Sequence, residues 1–163
     1  MRTVVNTKVD PSLKSATLPF IGRCLKGMGM EATRDGDSYY VDLGFNSNLV
    51  IGFRRGRISV AVAMPTGWDE IDEQLFLASM TMACTTLTKV FLCPEGEEMY
   101  IWFSAECFCK TRGEFEDIFD ALFKQLMKSV RKFVAIRDSL AEMMQAESMA
   151  KFMMSQAENQ QPS

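Results

Sequence analysis

Side chains able to do chemistry at neutral pH are few in this chain of 163 residues. It has no histidine, the side chain that titrates unperturbed near neutrality and the commonest metal ligand. Carboxylates gather at Asp69, Glu70, Asp72 and Glu73, and again at Glu114, Glu116, Asp117 and Asp120. General acid–base catalysis would need one member of such a group buried, with its pKa raised. Both groups instead stand where helices are expected to begin, and the helix dipole favours acidic residues there. Cys107 and Cys109 would share one side of a strand, but no third and fourth ligands are spaced for zinc. Arg54, Arg55 and Arg57 surround a turn and could hold a phosphate or an acidic partner, although such a cluster is ordinarily a solvated hairpin end. Gly52-Phe53-Arg54-Arg55-Gly56 lacks the Lys and Ser/Thr of a phosphate-cradling P-loop. Catalytic residues, a metal and a cofactor are therefore not expected, and the reading is that of a protein that is not an enzyme.

Two features point to binding. The stretch Met99–Phe103 is apolar on both faces, with Met99, Ile101 and Phe103 on one and Tyr100 and Trp102 on the other. A strand covered by helices on both sides would look like this, and so would one at a dimer interface. The second feature is a run of methionines near the end, Met143, Met144, Met149, Met153 and Met154. Methionine is flexible and polarizable, and surfaces that accept varied apolar partners use it heavily. Tyr100, Trp102, Met143, Met144, Met149 and Met153 are the candidate partner-binding residues.

The elements that must position these residues are legible from periodicity. A first helix is expected over 17–28, capped by Thr17 with Pro19 in its first turn and stopped by Gly27 and Gly29. Strands are expected at Met30–Arg34, Ser38–Phe45, Leu49–Arg54 and Arg57–Met64, separated by Asp35-Gly36, Asn46-Ser47-Asn48 and Arg55-Gly56. In them Tyr39, Val41, Leu43 and Phe45, and Ile58, Val60, Val62 and Met64, alternate with smaller or polar residues such as Gly44, Ser59, Ala61 and Ala63. Period-2 alternation sends the large residues to one sheet face and the small ones, with Gly52, to the other. That small-residue face would ordinarily pack under one of the chain's own helices. Uncovered, it would let a partner approach the backbone closely.

A second helix is expected over 68–87, with Thr66 and Asp69 resembling a capping box. Its Ile71, Leu75, Phe76, Ala78, Met82, Ala83 and Leu87 would lie deep in the fold. A hairpin follows, Lys89–Cys93 and Glu98–Cys109, turning at Pro94-Glu95-Gly96-Glu97. A last helix over 113–137 carries Phe115, Ile118, Phe119, Leu122, Leu126, Val130, Phe133 and Val134 at helical spacing. Asp138–Gln156 keeps helical propensity but replaces aliphatics by methionine, and ENQQPS reads as a frayed tail.

Apolar residues make up 47% and charged residues 24%, the ordinary globular mixture. The net charge of −3 supplies no concentrated basic face for nucleic acid. Five cysteines without C-x-x-C spacing read as reduced thiols. No signal peptide is expected from MRTVVNTKVDPSLK, and no apolar run approaches the roughly 20 residues of a membrane span. One domain over 1–163 follows, with its core at about 17–137 and residues 138–163 as a Met-rich helical extension and tail. A cytoplasmic location without membrane contact is expected.

The order helix, antiparallel strands, helix, hairpin, long helix resembles the type III secretion chaperone-like superfamily. Within it the chain looks like the YbjN-like proteins, described as bacterial sensory transduction regulators. FIGRCLKGMGMEATRDGDSYYVDL is similar to their first helix and "LGY" and "D-x-D-G" opening. MACTTLTKVFLCPEGEEMYIWFSAECF is similar to the end of their middle helix and acidic-turn hairpin, and EFEDIFDALFKQLMKSVRKF to their closing helix. The resemblance runs from Leu18 to Val134. It departs at Thr85 and Thr86, where many relatives carry Asn, and in the Met-rich extension. It implies an α+β fold with an antiparallel sheet of five or six strands and flanking helices, often dimeric, that binds polypeptide and catalyses nothing. The expected function is chaperone-like or regulatory polypeptide binding through apolar sheet and helix surfaces, in a homodimer. A small-molecule sensor using the small-residue sheet face as its pocket is the other reading.

Overall fold

The structure is a computed structural model that describes residues 14–67, 71–84 and 87–158. Helix α1 (Leu18–Gly27) begins as its sequence dictates: Thr17 Oγ1 accepts the Phe20 amide at 3.4 Å, and Pro19 occupies the first turn. It ends where Gly29 adopts φ +78°, a conformation costly for residues with a Cβ. Four strands follow as a meander: β1 (Ala32–Asp35), β2 (Ser38–Gly44), β3 (Ser47–Arg54) and β4 (Arg57–Pro65). The expected strands are there, with shifted ends. Met30 and Glu31 precede β1, and Phe45 leaves β2 because it takes φ 53° in the turn, where its ring is 98% exposed.

Helix α2 is described over Ile71–Cys84, inside the expected 68–87. Leu87 stands in a left-handed conformation (φ 60°) and ends up exposed, so it belongs to the link and not to a buried helix face. Trp68, Asp69, Thr85 and Thr86 lie outside the described residues, the proposed capping acid among them. The buried face of α2 also differs from expectation. Gln74, Leu77, Ala78 and Thr81 point inward, while Leu75, Phe76 and Met82 are more than half exposed. Apolar residues occur all round this helix, so periodicity alone selects no face. Thr81 is accommodated by donating its hydroxyl to the Leu77 carbonyl at 2.8 Å.

Strands β5 (Lys89–Glu95) and β6 (Glu98–Phe108) form the second hairpin, and α3 (Phe115–Glu158) closes the chain. The sheet has six strands in the order β1-β2-β3-β4-β6-β5, and every neighbouring pair is antiparallel. This is the expected α+β class. The hairpin therefore docks through β6 against β4, pairing Val62 with Phe103 and Val60 with Ala105.

Core sheet residues all belong to one face: Tyr39, Val41, Leu49, Ile51, Ile58, Val60, Val62, Val90, Ile101, Phe103 and Ala105. Against them pack Ile21 and Leu25 of α1, Leu77 of α2, and Phe115, Phe119, Leu126 and Phe133 of α3. Phe103 and Phe133 meet edge to face with centroids 5.6 Å apart. Helix and sheet are also tied by Ser129, which donates to Thr88 Oγ1 at 3.0 Å inside the core. The molecule is a two-layer sandwich with its described helices on a single side of the sheet.

Candidate functional site

The small-residue face lies opposite that core. Tyr40, Asn48, Val50, Gly52, Ser59, Ala61, Ala63, Tyr100, Trp102, Ser104 and Phe91 share it by register, and none of them belongs to the core cluster. The ordinary expectation that a helix of the chain covers this face is overturned: the described helices are on the other side. Its middle is apolar. Ala61 and Ala63 are buried, at 9% and 1% exposure, and Phe91 and Trp102 stack beside them with centroids 6.1 Å apart and planes 13° from parallel. Tyr100 lies against the sheet and donates to Glu98 at 3.2 Å. Burial pushes its phenol pKa up, and the bond to Glu98 adds to the rise. The Trp102 indole N–H donates to no partner among the described residues.

The two ends of the face differ in charge. Arg54 and Arg57 stand directly opposite one another on β3 and β4, beside a concavity of about 710 Å³ that Ser38, Gly52, Ser59, Glu106 and Phe108 also line. A Cβ at Gly52 would sit 2.6 Å from Ser59 Oγ, so that hydroxyl would have to turn aside. Arg57 pairs with Glu106 at 3.4 Å and lies over the Phe108 ring at 5.0 Å. The hydrogen bond from Lys89 to Glu106, 2.9 Å long, holds that carboxyl below its usual range, with Arg57 contributing less. At the far end Glu95 and Glu98 stand opposite one another on β5 and β6.

The methionines form a second surface. Helix α3 runs unbroken for 44 residues, about 66 Å at 1.5 Å per residue. Its core contacts end with Leu140. From Glu142 onward the described side chains are exposed, including Met143, Met144, Met149, Phe152, Met153 and Met154 at 47–66%. An apolar groove of about 350 Å³ opens where this extension leaves α2, between Phe76, Leu140 and Met144, with Asp72 and Glu73 at its rim. The structure thus splits the six candidate residues into two places, Tyr100 and Trp102 on the open sheet face and the four methionines on the protruding helix. Sequence reasoning missed Phe91 and Val50 on the sheet and Phe152 on the helix. The last had a signal, since it follows Met149 at helical spacing.

The other candidates fall into structural roles. Glu114 accepts the Lys110 and Thr111 amides at 3.0 and 3.1 Å and turns the chain into α3, and these backbone bonds lower its pKa. Cys107 is exposed while Cys109 is buried, and burial raises the pKa of the Cys109 thiol. No helix among the described residues is long and apolar enough to cross a membrane.

No protein-family profile and no curated protein matches the chain. Among solved structures it is similar to E. coli YbjN, a proposed transcription regulator, at a TM-score of 0.57 and 16% identity, over 81% of this chain and 97% of that one. The fold is YbjN-like. The YbjN-like fold by itself assigns no chemistry.

Proposed function

We propose that this YbjN-like chain is a non-enzymatic polypeptide-binding protein, chaperone-like or regulatory in role, and that its partner docks on the Met-rich part of α3. The carrying observation is a helix that leaves its own core yet stays apolar, with Met143, Met144, Met149, Phe152, Met153 and Met154 all exposed. Methionine side chains adapt to differently shaped apolar helices, and an amphipathic segment laid into the groove between Phe76, Leu140 and Met144 would meet anchors at helical spacing. The charges of this part, Asp138, Glu142, Glu147 and Lys151, are mainly acidic. That argues against a membrane surface, whose helices carry Lys and Arg on their polar face. Likeness to a proposed transcription regulator is compatible with a regulatory role exercised by contact with other polypeptides. A cytoplasmic setting suits the free thiols Cys24, Cys93 and Cys107.

The test places a photo-crosslinking amino acid at Met149 or Met153, with exposed Lys26 of α1 as the control position, and irradiates in the native cell. One polypeptide captured from both methionine positions, and lost in a variant combining Met143→Glu and Met144→Glu, is the expected result. Capture no different from that at Lys26 would sink the reading.

A further inference from the structure

The open sheet face carries two arrangements that are unfavourable inside one chain. Arg54 faces Arg57 across β3 and β4, and Glu95 faces Glu98 across β5 and β6. Like charges directly opposite on a sheet repel. Among the described residues neither Arg54 nor Glu95 makes an ion pair within the chain. The two pairs have opposite sign and sit at opposite ends of one apolar sheet face that no described helix covers, with Phe91 exposed and Val50 and Trp102 half-buried. Between them lie Val50, Ala61, Ala63, Phe91 and Trp102.

We propose that a second copy of this chain covers this face, related by a two-fold axis that runs across the strands, so that each copy's arginine pair meets the other's glutamate pair. A two-fold interface matches a patch with itself, and only this orientation turns both repulsive pairs into attractive contacts. An axis along the strands would set arginine on arginine. The spacing fits too. The pairs are separated by about 34 Å along the strands and by two strand spacings, about 10 Å, across them. A two-fold that superimposes them inclines the strands of the two sheets by roughly 30°, the usual angle between aligned packed sheets. The six strands, of four to eleven residues each, present at most about 750 Å² of this face on each copy, which does not exceed the standard size for a stable pair. The small-residue Ala61–Ala63 strip lets two sheets close to about 10 Å, with the Phe91–Trp102 stack as the apolar anchor. Helix α3 lies on the other side of the sheet and stays free, so this inference stands apart from the proposed partner site.

The experiment is light scattering and sedimentation at micromolar concentration, with circular dichroism to check the fold. One variant combines Arg54→Glu with Arg57→Glu, and another combines Glu95→Arg with Glu98→Arg. Each keeps a like-charge pair on its own sheet; the first loses the half-exposed Arg57–Glu106 ion pair and the contact of Arg57 with the Phe108 ring, and the second loses the bond from Tyr100 to Glu98. The wild type should be a dimer, each variant should dissociate at least tenfold more readily, and the variant with all four changes should return to within threefold of wild type. The two double variants mixed should form a heterodimer in native mass spectrometry. Should a double variant fail to fold, Arg54→Glu and Glu95→Arg alone give the same readout. A monomeric wild type, charge variants as dimeric as wild type, or a four-fold variant no tighter than the doubles each overturns the proposal.

Discussion

Two residues show how local chemistry fixes the framework under the sites. Gly22 of α1 lies beneath the Tyr39 ring, and a Cβ at that position would overlap the phenol carbons and hydroxyl. Gly→Ala inside a helix ordinarily stabilises by about 1 kcal/mol, but overpacking costs about 1–3 kcal/mol, so the clash wins. Gly22→Ala should lower stability in denaturant titration, and adding Tyr39→Leu should recover part of the loss. A neutral Gly22→Ala would mean that the ring moves aside freely. Glu114 shows the electrostatic counterpart. Its folded pKa is depressed by the Thr111 and Lys110 amides, so its stabilisation is present above the unfolded carboxylate pKa of about 4.3 and fades as pH falls through the lower folded value. Glu114→Ala should therefore melt below wild type at neutral pH, and the gap in melting temperature should close on acidification. A gap that stays constant down to strongly acid pH would remove Glu114 from this role. The sequence marked Glu114 only as an acid near a helix start. The two amides it captures became visible once β6 and α3 were placed.

At the scale of elements, the alternation in β2, β4 and β6 was legible because a period of two forces a choice of face wherever one side is a core. The same signal could not say what lies on the other face, since small residues suit a covering helix and an open surface alike. Helix α2 was misread for a related reason: Leu75, Phe76 and Met82 are apolar yet exposed, while Gln74 and Thr81 are buried, and only the docking of α2 beside β5 and α3 decides between them. The Met-rich stretch was legible as helix but not as a projection. Its separateness gives a clear expectation. Deleting residues 146–163 removes no member of the described core, so unfolding stability should change by less than about 0.5 kcal/mol while capture of the proposed partner disappears. A marked fall in stability would show that this part of α3 folds back onto the domain.

For the whole molecule, a two-layer fold has one side of its sheet to dispose of, and here that side is apolar in the middle and charged at both ends. Trp102 sits in this middle, stacked on Phe91. Trp102→Glu would put a charge into the centre of the proposed dimer, where desolvation costs several kcal/mol if it is unpaired. Scattering at micromolar concentration should then report a monomer that keeps its helical circular dichroism. A variant that stays dimeric would move the contact elsewhere. The strand order carries a separate consequence, for the course of folding. The pairs within β1 to β4 and within β5–β6 are hairpins between sequence neighbours, of the kind that form in microseconds. The β4–β6 ladder instead joins Arg57 to Phe108 and Pro65 to Tyr100, and it must close a long loop containing α2 before any contact rewards it. Folding then divides into two fast local events and one slow encounter. Changes at Val62 or Phe103 should retard that encounter, whereas changes at the β1 edge mainly hasten unfolding.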